Sequence, residues 1–94
     1  MPIAVLSLHL FLAGSTSLKE KRSRLKPLLA RLQREFNLSV AEMDYLDRWR
    51  EALVACVVIS NDAAQCQRVL QTVLEFTEQH FPDVEIADHR IEMI

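Results

Sequence analysis

Lysine and arginine side chains concentrate between Ser15 and Arg34, and their type and spacing come closest to a recognisable chemistry. Seven of the eleven Lys and Arg residues lie in this segment, opposed there only by Glu20. Cationic side chains on a rigid element neutralise phosphates and release counterions, which dominates the affinity of nucleic-acid binding. The segment therefore suggests a phosphate-backbone contact, with these candidate residues: Lys19, Arg22, Lys26, Arg31 and Arg34.

The same charges also fit a simpler interpretation, in which they only keep a helix surface solvated. On a helical wheel of about 100° per residue, Lys19, Arg22 and Lys26 fall on one side of the apolar stripe. Arg24 and Arg31 fall on the other side, and the last arginine of the segment lies opposite the stripe. The wheel thus predicts charges spread around the solvent face, and isolated surface charges often contribute little. Both interpretations stay open.

Acidic residues cluster further along the chain, at Glu42, Asp44 and Asp47, close to Tyr45 and Trp49. Carboxylates with a neighbouring histidine can bind a cation or transfer protons. The spacing matches no calcium-binding loop, however, and a single tryptophan beside Asp and Arg is typical of a hairpin anchor or an interface. We expect a structural anchor or an interface here.

Other catalytic or cofactor chemistry finds little support. The histidines have no ligand-pair spacing, and Cys56 and Cys66 are typical of small buried side chains. One glycine cannot form a glycine-rich phosphate loop. We therefore expect no catalytic residue, no metal site and no cofactor.

The composition of the chain indicates what kind of domain must position these residues. The chain has 94 residues, 50% of them hydrophobic and 26% charged, and its net charge is −2, which excludes a protein that is basic overall. This composition is typical of one globular domain, here residues 1–94. The apolar run 2–13 has no positively charged start and is too short to span a bilayer. Two cysteines are too few for a secreted disulfide scaffold, so we expect a cytoplasmic protein. We expect no membrane segment.

Hydrophobic periodicity predicts four strands, at residues 3–12, 38–46, 52–59 and 84–93. It also predicts two helices that end near residues 36 and 80. Pro27 either kinks the first helix or splits it in two, and these alternatives stay open. A change of phase along the last strand predicts a bulge or a shift of partner near Asp88.

The order β-α-β-β-α-β predicts a ferredoxin-like α+β sandwich, with two helices on one face of a four-stranded antiparallel sheet. Right-handed crossovers place the first and third strands in the middle. The uncovered face would then expose apolar side chains, which favours a homodimer through that face or an edge. The expected interface residues are Val5, Phe11, Tyr45 and Trp49. Base stacking on this sheet is not expected, because the third strand has no aromatic residue.

Three ordered motifs resemble the YlxP-like family of small bacterial proteins, a domain of unknown function. They are Ser17-Leu18-Lys19-Glu20-Lys21-Arg22, then Val40-Ala41-Glu42 with Asp44, Asp47 and Trp49, then Ser60-Asn61-Asp62. The resemblance covers almost the whole chain. It implies a ferredoxin-like fold, a bacterial cytosolic origin, no established catalysis, and genes often found beside translation and ribosome-maturation factors.

Two functions follow as expectations. The first is a non-catalytic accessory protein of translation or ribosome maturation, which binds ribosomal RNA or the small ribosomal subunit through its basic first helix. The second is a protein-interaction or scaffold module that uses the open sheet face and the Trp49 region, without nucleic acid. The gene neighbourhood is an association and not a mechanism.

Overall fold

Four strands and two helices alternate along the chain in the predicted order. A computed structural model describes residues 1–94. The elements are β1 (Ile3–Phe11), α1 (Leu18–Glu35), β2 (Ser39–Asp44), β3 (Glu51–Ile59), α2 (Ala63–His80) and β4 (Glu85–Met93).

The four strands form one antiparallel sheet in the order β2-β3-β1-β4, so the first and third strands are central, as predicted. Leu6 of β1 lies between Cys56 of β3 and Ile91 of β4. With both helices on one face of this sheet, the fold is a ferredoxin-like α+β sandwich, and this prediction is confirmed.

Strand periodicity decides which side chains enter the core. The even-numbered residues of β1 and β3 are buried beneath the helices, whereas the odd-numbered residues face the uncovered side of the sheet. The helices add the buried side chains of Leu25, Leu28, Leu32, Leu70 and Val73 to the same core. One apolar cluster therefore joins every layer of the molecule.

Helix α1 is uninterrupted across Pro27, so of the two alternatives left open by the sequence, the split into two helical pieces does not occur. Pro27 is exposed, and the flanking Leu25 and Leu28 are buried. Packing of that apolar stripe stabilises the helix and compensates for the one backbone hydrogen bond that proline cannot donate. Ser17 caps the first turn, because its hydroxyl accepts a hydrogen bond from the Glu20 backbone N–H at 3.0 Å.

Strand β4 contains the predicted irregularity. His9 pairs with Asp88 whereas Leu10 pairs with Ile86, so Ala87 is the extra residue of a bulge. The bulge explains why the two ends of the strand differ in hydrophobic phase. A second register shift, which the sequence did not predict, leaves Met43 unpaired opposite β3.

Candidate nucleic-acid interface

Helix α1 carries four cationic side chains that are free to meet a ligand. Lys19, Arg22, Lys26 and Arg34 are exposed, and none of them forms an ion pair within the chain. The capped first turn and the buried leucine stripe fix the rotation of the helix, and so they fix the direction in which these residues point.

Two other arginines of the helix make contacts within the molecule. Arg24 donates to the Ala13 carbonyl at 2.7 Å and to the Asp83 carbonyl at 3.0 Å. Arg31 stacks over the Phe76 ring, 5.1 Å from its centroid, and its Nε lies 3.6 Å from a Glu35 carboxylate oxygen. Arg31, although a predicted site residue, is thus separated from the other four.

Because Arg24 and Arg31 make contacts within the molecule, the remaining charges are not spread evenly around the helix. The four unpaired cations Lys19, Arg22, Lys26 and Arg34 occupy an arc of about 120° on the helix, at about 100° per residue. They extend over ~22 Å of helix axis, at ~1.5 Å per residue. Both acidic residues of α1 fall outside this arc. We call these four residues the basic ridge.

The seventh cation of the helix, Lys21, is buried, with 1% of its surface exposed. Its Nζ donates to the Tyr45 carbonyl at 2.7 Å and lies 2.8 Å from Oε2 of Glu42 on β2. Tyr45 adopts a positive φ of 61°, a strained conformation for a bulky residue. Lys21 therefore ties helix α1 to the end of β2 and to the turn that follows it.

A groove of about 210 Å³ lies between α1 and β2, lined by Arg22, Leu25, Lys26, Leu29 and Glu42. Its walls combine two leucines with two cations of the basic ridge and one carboxylate. The Glu42 side chain is 16% exposed, and its ion pair with Lys21 is a close contact rather than a directed hydrogen bond. We call this feature the α1–β2 groove.

Tyr45, expected at an interface, packs within a cluster on the uncovered sheet face. Its ring lies 5.3 Å from the ring of His9 and 4.7 Å from the Arg48 guanidinium. Glu51 links both neighbours, since its carboxylate lies 2.9 Å from His9 Nε2 and accepts from Arg48 at 3.0 Å. The His9 contact, followed by that of Arg48, holds the pKa of the Glu51 carboxyl below its usual range.

The other predicted interface residues do not form one patch. Val5 and Phe11 are half-buried near opposite ends of β1, and Trp49, in the β2–β3 connection, is 52% exposed. The exposed apolar side chains of the uncovered face include Val57 and Ile59 of β3, which are 37% and 57% exposed, and Met43 of β2, which is 60% exposed. The sequence predicted exposed apolar side chains on the uncovered face without identifying these residues.

Two carboxylates of the Glu42, Asp44 and Asp47 cluster have different partners. Glu42 faces Lys21, whereas Asp44 accepts a hydrogen bond from the Tyr45 backbone N–H at 2.7 Å. No three His, Cys, Asp or Glu side chains converge anywhere in the chain. Cys56 and Cys66 are both buried, and burial raises the pKa of the Cys56 thiol to about 12.

Sequence reasoning missed the buried role of Lys21, although a signal was present. Lys21 stands three residues after Leu18 and four before Leu25, which is the spacing of the apolar stripe itself. A lysine at a core-facing position needs a buried partner. Glu42 on the neighbouring strand was the available one.

The architecture places the chain in the class of ferredoxin-like α+β domains, and solved structures share it. The designed protein Foldit4 has a TM-score of 0.55 at 14% identity, covering 100% of this chain and 97% of that chain. The designed ferredoxin-fold protein LFR1 1 has a TM-score of 0.55 at 11% identity, with 100% and 84% covered. SnoaB, a cofactor-independent oxygenase from Streptomyces nogalater, has a TM-score of 0.53 at 12% identity, with 99% and 90% covered. At these identities the likeness shows the fold alone.

The chain belongs to the DUF503 family of proteins of unknown function, whose model matches residues 3–91. It is 40% identical over 76 residues to the uncharacterized protein YlxP of Bacillus subtilis (strain 168), with 81% of this chain and 82% of the relative covered. The family expected from the three motifs is thereby confirmed. Neither helix is long and apolar enough to cross a membrane.

Proposed function

We propose that this protein binds the phosphate backbone of RNA through the basic ridge, as a non-catalytic accessory protein of translation or ribosome maturation in the bacterial cytoplasm. One observation carries the proposal. Four exposed cations without internal partners lie on one side of a single helix, and no carboxylate of that helix lies among them.

The net charge of −2 is compatible with this function because the ridge is local. Lysine and arginine contacts to phosphates release counterions, and a single strand gives a slope of about −0.7 per contact in log affinity against log salt. Four contacts therefore predict a loss of about fifty-fold between 50 and 200 mM salt. Charges that make no phosphate contact contribute nothing to this slope.

The ribosomal setting rests on the family resemblance, whose genes often neighbour those of translation factors. The ridge itself supplies only the chemistry of the contact. It has no aromatic side chain for base stacking, so the backbone is the part of RNA that these four residues recognise.

Co-sedimentation with small ribosomal subunits at 50 and 200 mM salt tests the proposal. The variant Lys19→Gln/Lys26→Gln removes two ridge charges, and Gln67→Glu/Gln71→Glu changes the net charge by the same amount on exposed positions of α2. We expect the first variant to lose binding at least tenfold more than the second. Equal losses would show that net charge, and not the ridge, governs binding.

A second candidate function, protein association, is favoured by the exposed apolar side chains of β3. We propose a second copy of this chain as the occupant of the uncovered sheet face. Four strands about 4.8 Å apart, three of nine residues and one of six residues at about 3.3 Å per residue, cover roughly 520 Å². That is about two thirds of the ~800 Å² that each partner contributes to a standard interface.

Light scattering tests this association, because one protomer has a mass of 10.8 kDa. We expect twice that mass for the wild type and the protomer mass for Val57→Glu, which places a charge in the apolar area of the face. Gln71→Glu, an exposed change on α2, is the control and should remain dimeric. A wild type that stays at the protomer mass at high concentration contradicts the dimer.

A further inference from the structure

The α1–β2 groove adjoins the basic ridge, and two of its five lining residues belong to both. Arg22 and Lys26 stand at the groove with their charges unpaired. A nucleic acid held on the ridge therefore passes directly over the groove. A ligand of the groove must therefore be compatible with a phosphate bound on either side of the groove.

The remaining walls have the chemistry of a site for a planar ring. Leu25 is buried and Leu29 half-buried, so they present aliphatic surface to the groove. Glu42 contributes the one carboxylate; its Oε2 is buried against Lys21, and its Oε1 accepts no hydrogen bond from the chain. Its charge is already balanced by Lys21, 2.8 Å away. The carboxylate can accept an N–H group without adding net negative charge beside the phosphates.

We infer that the α1–β2 groove receives one unpaired base of the RNA held on the ridge, an inference that rests on the proposed function. The base packs against Leu25 and Leu29, and its Watson–Crick edge donates an N–H group to Glu42. Arg22 and Lys26 contact the phosphates that flank this nucleotide.

The geometry selects an unpaired base rather than a particular base. The N–H donors on the Watson–Crick edges are engaged by a partner strand in a duplex and become available in bulges and loops. A volume of about 210 Å³ is also below the range of sites for drug-sized ligands, ~300–1,000 Å³, and suits a single base. All four bases carry such a donor, so we expect weak dependence on base identity.

Fluorescence anisotropy with three hairpin RNAs of identical stem tests the inference at 50 mM salt. The first hairpin has a single-adenosine bulge, the second has an abasic site at the bulge, and the third is fully paired. We expect the adenosine bulge to bind about tenfold more tightly than the other two, which corresponds to ~1.4 kcal/mol.

A variant that fills the groove connects this preference to its location. Leu29→Trp should bind the three hairpins equally, with the affinity of the wild type for the paired hairpin, because the ridge is unchanged. Gln71→Trp adds the same side chain on α2 and should retain the tenfold preference. Circular dichroism and thermal unfolding verify that both variants fold.

The outcomes separate the two proposals. Equal affinity of the wild type for all three hairpins contradicts the base site and leaves the ridge in place. A preference that persists in folded Leu29→Trp also contradicts it, because the base then binds elsewhere. If no hairpin binds at 50 mM salt, the proposed function fails together with this inference.

Discussion

Replacing Lys21 with methionine removes the buried cation that joins α1 to β2 and to the turn at Tyr45. The substitution leaves Glu42 without its ion-pair partner and the Tyr45 carbonyl without its donor. Breaking a buried ion pair from one side costs about 3–5 kcal/mol. Because Glu42 is 16% exposed and can recruit water, we expect the lower end of that range, about 3 kcal/mol.

Urea unfolding at pH 7 measures this cost. A loss of about 3 kcal/mol lowers the midpoint by ~2 M for an m-value of ~1.5 kcal/mol/M. It is a large part of the roughly 5–14 kcal/mol expected for a chain of this length. The matched control is Lys26→Met, the same substitution at an exposed position of the same helix, which should change stability by under ~0.5 kcal/mol.

The double variant Lys21→Met/Glu42→Leu completes the cycle. With both charges replaced by apolar side chains, much of the lost stability should return, since no unpaired charge remains at the site. The reasoning is refuted if Lys21→Met costs no more than Lys26→Met. It is also refuted if the stability losses of the single variants Lys21→Met and Glu42→Leu simply add in the double variant.

Further predictions concern the remaining buried and titrating groups. Because the pKa of Glu51 is lower in the folded chain than its ordinary value of 4.5, its contacts stabilise the fold above that pH and are lost as the pH falls through the folded value. Urea midpoints between pH 3 and 6 should therefore vary less with pH in Glu51→Gln than in the wild type; equal slopes would contradict this. The Cys56 thiol, with a pKa of about 12, should not react with a thiol reagent at pH 8 until the chain is unfolded in urea. Leu8→Ala should cost about 2–5 kcal/mol, because Leu8 is fully buried on a central strand, and a cost under ~1 kcal/mol would contradict that position.

Most of the fold could be predicted from the sequence because periodicity reports burial directly. The apolar stripe of α1 and the alternation of β1 identified their core faces, and the phase change near Asp88 identified the bulge. The effect of Pro27 was open, because the sequence does not show whether packing outweighs one missing hydrogen bond. Met43 gave no signal of its register shift, since it lies at the end of an edge strand.

The candidate site was only half visible in the sequence. The cations of α1 were evident, but a helical wheel treats all of them alike and cannot show which are already paired. Arg24 and Arg31 meet partners on other elements, at Asp83 and Phe76, and such contacts depend on tertiary packing. The ridge emerges only when these two arginines are set aside.

The salt dependence of RNA binding tests the central claim most directly. For the wild type and a single-stranded RNA, four ridge contacts predict a slope of about −2.8 in log affinity against log salt. Lys19→Gln/Lys26→Gln should halve it to about −1.4, whereas Gln67→Glu/Gln71→Glu should leave it near the wild-type value. An identical slope for the wild type and the ridge variant, or no measurable binding at 50 mM salt, would contradict the account.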